Sequence, residues 1–225
     1  VDAMRKKGYT DKEMIDANLV GEKNGRIYDR FRNRLMFPII DVRGNVIGFG
    51  GRIMKNDKEA AKYLNSPETL IFNKRKNLFA LNLAKKSKLG YLILVEGYMD
   101  VVSLFQFGVP QAVATLGTAT TPDHAELLFR NAPDVYFCFD GDNAGRKAAW
   151  KALESVIPRM KDGRQAFFLF LPDGEDPDTI VRKEGADAFN ARLAQATPLS
   201  QFFFDQLSSD INLATLDGRA RLAER

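Results

Sequence analysis

The chain has 225 residues, of which 45% are hydrophobic and 28% charged, an ordinary composition for a soluble globular protein. It contains no apolar run near the roughly 20 residues of a membrane helix and no signal segment, so we expect a cytoplasmic protein without a membrane partner. A single cysteine (Cys138) and a single histidine (His124) exclude an internal disulfide and make a structural zinc site within the chain untenable.

The net charge of +4 is unevenly distributed along the chain. Residues 1–89 hold 20 Lys and Arg against 10 Asp and Glu, whereas residues 90–225 hold 13 against 19. A basic half beside an acidic half fits a nucleic-acid groove next to a metal site. Solvated charge on helices is the alternative, and it explains some of the lysines but not the asymmetry.

The first half predicts a short capped helix followed by a β-hairpin. Thr10 and Glu13 have the spacing of a capping box. Residues 35–40 and 46–53 predict two strands joined by a turn at 41–45. Glycines at 48, 50 and 51 suggest that another backbone or a ligand approaches the second strand closely, although a twisted hairpin packed on a helix fits the spacing equally well.

Basic side chains of this half predict a DNA-binding groove. Arg30, Arg32 and Arg34 alternate along a segment that we expect to be extended, which would place them on one face. Arg52 and Lys55 follow the hairpin. Arg offers a forked donor that suits phosphate and Lys a point charge, so we expect these side chains to bind a nucleic-acid backbone, although each taken alone is more often solvated.

From residue 90 the chain alternates between strands and helices. The predicted strands lie near 91–95, 111–115, 135–139 and 166–171. The predicted helices lie near 98–107, 122–131, 143–161 and 178–194, with a last helical segment from Pro198. Apolar strands with helical crossovers predict a parallel sheet with helices on both faces, and His124 is expected on a helix surface.

This pattern predicts an α/β protein (α+β overall) in three parts. Residues 1–71 would form a basic mixed α/β subdomain and residues 72–197 a central sheet subdomain, with its motifs at about 90–172. Residues 198–225 would begin a helical subdomain that is truncated here. The chain begins at Val1 and stops in a charged helical stretch, which is typical of an excised piece.

Carboxylates follow the predicted strands where a ligand would bind. The six candidates are Glu96, Asp100, Asp140, Asp142, Asp176 and Asp178. Ligands of open parallel sheets bind beyond the carboxyl ends of the strands, and clustered acids there are costly unless a divalent cation neutralises them. Oxygen ligands favour Mg²⁺ or Mn²⁺ over zinc. Helix capping is the alternative, but the acids outnumber what caps need.

The spacing of these acids resembles the TOPRIM domain of bacterial primases and topoisomerases. Glu-Gly-x-x-Asp at 96–100 and Asp-Gly-Asp-x-Ala-Gly at 140–145 carry this resemblance. Segments at 62–69, 96–102 and 173–178 resemble the bacterial (DnaG-type) primase family in particular, over about residues 28–198. The resemblance implies a nucleotidyltransferase, the RNA-polymerase core that makes short RNA primers on single-stranded DNA at replication forks.

The resemblance also implies roles and partners. Glu96 would be a metal ligand or general acid/base, Asp140 and Asp142 a metal-binding pair, and the other acids an extension of that site. The implied cofactor is Mg²⁺, for which Mn²⁺ can substitute. The implied partners are single-stranded DNA template, NTPs, the RNA primer, a guanosine tetraphosphate inhibitor, and a replicative helicase bound through a C-terminal domain.

Four residues are predicted to bind the nucleotide. Lys62, Tyr63 and Asn65 lie in a primase-like segment, and Arg146 lies at a predicted helix start beside the Asp-Gly-Asp loop, where anions bind readily. Surface ion pairs, of Lys62 with Glu59 or Glu68 and of Arg146 with a neighbouring acid, are the alternative.

Other functions compete with this interpretation. A calcium loop starting at Asp140 is excluded because Ala144 and Lys151 would occupy ligand positions. A topoisomerase needs a nucleophilic tyrosine, and the primase-like segments argue against one. A nuclease would use the same metals, and a non-catalytic module that binds single strands or an alarmone needs no such set of acids; both remain open.

Overall fold

The computed structural model describes residues 1–54, 60–88, 90–209 and 211–224. Its helices are α1 Asp2–Lys6, α2 Asp11–Asp16, α3 Leu81–Ala84, α4 Tyr98–Gln106, α5 Pro122–Phe129, α6 Asn143–Val156, α7 Pro177–Leu193, α8 Leu199–Ser208 and α9 Leu216–Ala223. Its strands are β1 Val20–Lys23, β2 Arg26–Asp29, β3 Arg34–Ile40, β4 Val46–Ile53, β5 Tyr63–Asn65, β6 Tyr91–Val95, β7 Ala112–Ala114, β8 Asp134–Phe139, β9 Gln165–Phe170 and β10 Thr197–Pro198. None of these helices is both long and apolar enough to cross a membrane.

The second half of the chain forms a five-stranded sheet in the order β10-β9-β8-β6-β7. β7, β6, β8 and β9 are parallel, and the two-residue β10 pairs antiparallel with β9. The predicted parallel sheet is therefore confirmed, with strand bounds within about two residues of those expected. β10 was not predicted, because two residues carry no periodic signal.

Side chains alternate between two buried layers, one on each face of this sheet. Leu92 and Leu94 of β6 pack with Phe137 in the layer formed with α5 and α6. Ile93 and Val95 lie in the opposite layer, formed with α4 and α7. Strands that are buried on both faces read as continuous apolar runs, which is why both the sheet and its helices could be predicted.

The first half contains a separate antiparallel sheet in the order β3-β4-β5, preceded by the β1–β2 hairpin. The predicted capping box is confirmed, since the backbone N–H of Glu13 donates to Thr10 Oγ1 at 3.2 Å and the Glu13 carboxylate accepts from the Thr10 backbone N–H. The hairpin of β3 and β4 is also confirmed. The β1–β2 hairpin and the three-residue β5 were not predicted.

Aromatic side chains lie against two glycines of β4, and one of them, Tyr98, belongs to α4, which fits the alternative of a hairpin packed on a helix. A Cβ at Gly48 would lie 3.2 Å from the ring of Phe72, and one at Gly50 would lie 3.0 Å from the ring of Tyr98. Tyr98 also packs against Phe37 of β3, with ring centroids 5.1 Å apart. These contacts join the two sheets.

His124 is fully buried, so its predicted surface position is wrong. Its Nε2 lies 2.8 Å from the carbonyl oxygen of Lys74, and its Nδ1 accepts a hydrogen bond from the backbone N–H of Thr121 at 3.3 Å. A neutral ring that donates from Nε2 satisfies both partners. His124 thus fastens the start of α5 to the segment that precedes α3.

The helical segment after residue 198 packs on the sheet through α8. Phe202 is buried, and its ring centroid lies 4.6 Å from that of Phe168 in β9. The predicted helical character is confirmed by α8 and α9.

Candidate active site

A cleft of about 410 Å³ lies between the two sheets, beyond the carboxyl ends of β6 and β8. We call it the acidic cleft. Its carboxylates are Glu96, Asp100, Asp140, Asp176 and Asp178. The opposite wall, from the first half of the chain, contributes Arg52, Lys62, Tyr63 and Asn65. The structure thus brings five of the six predicted acids together with four of the predicted basic or nucleotide-contacting residues.

Glu96 and Asp140 follow β6 and β8, which are neighbours in the sheet. Burial raises the pKa of Glu96, and the nearby charges of Asp140 and Asp142 raise it further. Burial, followed by the charges of Asp176 and Asp142, also raises the pKa of Asp140. Acids that share a site destabilise one another's ionised forms, so this pair lies in a strongly negative field.

Asp100 lies deepest of these acids. Burial and the neighbouring charge of Asp176 raise its pKa to about 7, although its carboxylate accepts a hydrogen bond from the backbone N–H of Gly97 at 3.1 Å. Protonated and ionised forms of Asp100 therefore coexist near neutral pH.

The remaining acids have structural partners. Asp142 and Asp176 cap α6 and α7, accepting hydrogen bonds from the backbone N–H of Gly145 and Thr179, each at 2.7 Å. The capping that the sequence left as an alternative is thus present at two positions. Asp142 caps its helix without lining the acidic cleft.

Asp178 accepts hydrogen bonds from the Ser103 hydroxyl and the Arg182 guanidinium. Burial alone would raise the pKa of Asp178, but these two hydrogen bonds outweigh it and hold the pKa below its usual value. Asp178 is therefore the acid of the cleft whose negative charge is best compensated by the chain itself.

The donor chemistry of the cleft fits a hard divalent cation. Every candidate ligand offers carboxylate oxygen, which suits Mg²⁺ or Mn²⁺, and burial together with neighbouring negative charge raises the pKa values of Glu96, Asp100 and Asp140. Yet in the described residues no group of three His, Cys, Asp or Glu side chains is arranged to hold a metal ion. The carboxylates of Asp100, Asp142 and Asp176 accept hydrogen bonds from backbone N–H groups instead.

Two glycines give the Asp-Gly-Asp loop its shape. A Cβ at Gly141 would lie 2.0 Å from the carbonyl oxygen of Leu171, and one at Gly145 would lie 2.0 Å from that of Asp140. Any larger side chain would displace the backbone that carries Asp140 and Asp142.

The predicted arginine face is wrong. Residues 30–33 form a bend and a turn, with Asn33 at φ 53°, so the segment is not extended. Arg30 donates to Asn18 at 3.4 Å, Arg32 lies over the ring of Tyr28, and Arg34 donates to the carbonyl oxygen of Gly51 at 3.2 Å. Of the predicted DNA-binding residues only Arg52 lines the acidic cleft, and Lys55 lies outside the described residues.

The predicted nucleotide residues divide in the same way. The Lys62 ammonium lies 5.6 Å from the ring centroid of Tyr63 and makes no ion pair in the described ranges, with Glu59 outside them. Arg146 does not line the acidic cleft. Its guanidinium lies 5.2 Å from the ring centroid of Phe170, on a surface apart from Lys62, and its contact with a nucleotide stays a prediction.

Tyr98 is a residue of the site that the sequence did not single out as a contact. Its hydroxyl donates to Asn65 Oδ1 at 2.8 Å, and Asn65 Nδ2 donates to the carbonyl oxygen of Leu116 at 3.0 Å. Burial raises the pKa of Tyr98 to about 12, so it remains a hydrogen-bond donor at neutral pH. Its position inside the primase-like segment 96–102 was the available signal.

Two protein families match the chain. The DNA primase catalytic core, N-terminal domain, matches residues 1–85, and the Toprim-like family matches residues 93–181. The DNA primase of Escherichia coli K12 is 59% identical over 213 residues, which are 93% of this chain and 36% of the relative. The chain therefore spans about a third of the length of such curated relatives.

Solved structures agree with these matches. A structure of the DnaG primase catalytic domain bound to single-stranded DNA is 55% identical, with a TM-score of 0.92 over 98% of this chain and 73% of that one. The Escherichia coli primase catalytic core is 57% identical, with a TM-score of 0.90 over 95% and 68% of the two chains.

Proposed function

This chain belongs to the bacterial DnaG-type DNA primase family, and from that premise we propose that it is a primase catalytic core that makes short RNA primers on single-stranded DNA. The acidic cleft carries this proposal, because it sets five carboxylates opposite Arg52 and Lys62 at the carboxyl edge of the sheet. Acids opposite cations suit a substrate that carries both phosphate and a metal ion.

The reaction would be nucleotidyl transfer. The 3′-oxygen of one nucleotide forms a bond to the α-phosphorus of an NTP, the bond from that phosphorus to the bridging oxygen breaks, and pyrophosphate leaves. The hydroxyl proton passes to a carboxylate or to water. Glu96 suits proton transfer, since burial raises its pKa toward the working range of a general base.

Glu96, Asp140 and Asp142 would hold Mg²⁺ or Mn²⁺, with Asp100, Asp176 and Asp178 nearby. Such an ion would neutralise charge on the phosphates and lower the pKa of the attacking hydroxyl. The Asp142 carboxylate accepts a hydrogen bond at the start of α6, and the Asp178 carboxylate accepts hydrogen bonds from Ser103 and Arg182. These bonds fix both carboxylates near the proposed metal site.

Lys62, Tyr63 and Asn65 would contact the NTP in the acidic cleft. Lys62 offers a point charge for phosphate, and Tyr63 offers a ring face beside it. A guanosine tetraphosphate alarmone carries similar phosphates and would compete there. Arg52 would guide the template toward the acids, and a replicative helicase would bind a part of the protein beyond this chain.

The organisation into subdomains at 1–71, 72–197 and 198–225 is part of this proposal. The three-stranded sheet ends at Asn65 and the five-stranded sheet starts at Tyr91, which supports a boundary between them. The packing of α8 on β9 ties the third segment to the second.

Incubation with single-stranded template, NTPs and Mg²⁺ tests the proposal. We expect an RNA product that disappears when Mg²⁺ is chelated and in the Asp140→Asn variant. Degraded template without RNA would instead identify a nuclease. Template binding without either product would identify a binding module.

A further inference from the structure

A second cleft adjoins the acidic cleft at Glu96. It lies between α6 and the loop after β7, has a volume of about 460 Å³, and shares Glu96, Thr115 and Gly117 with the acidic cleft. We call it the α6 cleft. Apart from Glu96, none of the residues given a role in the function proposed above lines it.

The walls of the α6 cleft combine cations, hydroxyls and an apolar floor. Lys147 and Lys151 lie one turn apart on the exposed face of α6, and neither makes an ion pair in the described part of the chain. The Thr118 hydroxyl is shielded from water and has no hydrogen-bond partner there. Val95 and Phe139 contribute apolar surface.

The direction of α6 orders these features. α6 starts at the edge where Asp140 and Glu96 lie and runs back along the sheet toward the start of β9. With a rise of about 1.5 Å per residue, Lys147 and Lys151 lie about 6 and 12 Å along the helix from Asn143. The two lysines thus lie at increasing distance from Glu96 and Asp140, beside apolar surface. A nucleotide could place its nucleoside on this apolar surface and its phosphates on the lysines.

We propose that the α6 cleft holds the first nucleoside triphosphate of a new RNA chain. Its triphosphate contacts Lys147 and Lys151, its sugar and base lie on the apolar floor, and its 3′-hydroxyl points to Glu96. The acidic cleft holds the second nucleotide, whose α-phosphorus is attacked with loss of pyrophosphate. This inference rests on the proposed function, since starting a chain without a primer joins two free nucleotides.

Two clefts that meet at one carboxylate satisfy the geometry of that first step. The 3′-hydroxyl of the first nucleotide must give up its proton close to the attacked phosphorus of the second, and Glu96 lines both clefts where they meet. Two nucleotides held in a single cleft of about 410 Å³ would place two triphosphates beside five carboxylates. A separate basic wall removes that repulsion from the first triphosphate.

Equilibrium binding of GTP to the full-length protein with Mg²⁺ tests the inference without catalysis. We expect two sites per chain in the wild type, one site lost in Lys147→Ala/Lys151→Ala and the other lost in Lys62→Ala. Lys161→Ala is the matched control, because this exposed lysine precedes β9 at the opposite edge of the sheet. A single site in the wild type, or two sites in the double variant, would overturn the inference.

Comparing the first step of synthesis with later steps shows whether the lysines bind the initiating nucleotide or another anion. In the double variant we expect dinucleotide formation to fall about tenfold or more at limiting NTP, with extension of an annealed RNA primer kept within about two-fold. Equal loss of both would show that the lysines bind leaving pyrophosphate or the strand, and would overturn the inference. If the wild type made no RNA in either assay, the proposed function would fail while the binding result stood by itself.

Discussion

The two walls of the acidic cleft are built differently. On the sheet side, Glu96 and Asp140 follow adjacent parallel strands, so the register of β6 and β8 brings them together. On the basic side only Arg52 of the predicted arginines reaches the cleft, because Arg30, Arg32 and Arg34 lie around a turn and contact other partners. Side chains placed by a parallel sheet converge, whereas side chains placed by a turn do so only when its conformation is known.

The largest effect is expected from a substitution on the sheet side of the acidic cleft. Asp140→Asn should lower RNA synthesis by about 100-fold or more, because the proposed metal site would lose a carboxylate ligand. It should also leave the protein as stable as before or more stable without metal, since the burial of a charge and the repulsion by Asp176 and Asp142, which raise the pKa of Asp140, are both removed. Primer extension and thermal unfolding measure the two quantities. A variant that is both inactive and unfolded would show that Asp140 has a structural role instead.

The next effect concerns the backbone that carries the acids. Gly145→Ala should lower the free energy of unfolding by about 1–3 kcal/mol, because its Cβ would lie 2.0 Å from the Asp140 carbonyl oxygen. Gly90→Ala is the matched control, since a Cβ there meets nothing within 4 Å. Urea unfolding of both variants measures the difference. Equal losses would mean that the loop has room that the structure does not show.

On the basic side, two arginine variants distinguish a residue that lines the acidic cleft from one that does not. Arg52→Gln should weaken single-stranded DNA binding and reduce the slope of log affinity against log salt by about 0.7, the value for one phosphate contact. Arg32→Gln should leave the slope unchanged, because Arg32 lies on the surface formed with Tyr28. Binding titrations at several salt concentrations measure both slopes. Matching reductions would indicate one continuous basic surface.

The smallest expected effect is a pH dependence far from the acids. Burial holds the pKa of His124 below its ordinary value of 6.5. The unfolded chain therefore binds the proton first as pH falls, so the stability contributed by neutral His124 is present above pH 6.5 and is lost below it. His124→Asn should flatten this part of the stability profile, as measured by unfolding at pH 5 to 8. An unchanged profile would assign the dependence to other groups.

Much of the sheet and its acids could be predicted because both follow from local pattern. Continuous apolar runs define β6 and β8, and an acid at each strand end then has only one edge to occupy. β5 could not be predicted in this way, since its three residues are a strand only through pairing with β4, as in Gly51 with Leu64. The sequence also could not show that Asn33 adopts φ 53°, which separates the arginines.

The site residues illustrate the same limit. Lys62 and Asn65 reach the acidic cleft because the two sheets pack together through Tyr98, a contact between distant parts of the chain. Arg146 follows its acids by only a few residues, yet one helical turn directs it over Phe170. Nearness along the chain was therefore a poorer guide than the shared edge of a sheet.

Asn65 connects the two sheets with both ends of one amide, accepting from Tyr98 and donating to Leu116. A nucleotide that takes a hydrogen bond from Asn65 must share or replace one of these bonds. Substrate affinity and the stiffness of the junction are then thermodynamically linked: a variant that loosens the junction changes affinity, and a ligand that grips the amide changes the junction. Mutating Asn65 would consequently report on both properties at once, and only the intersheet motion measured without nucleotide would separate them.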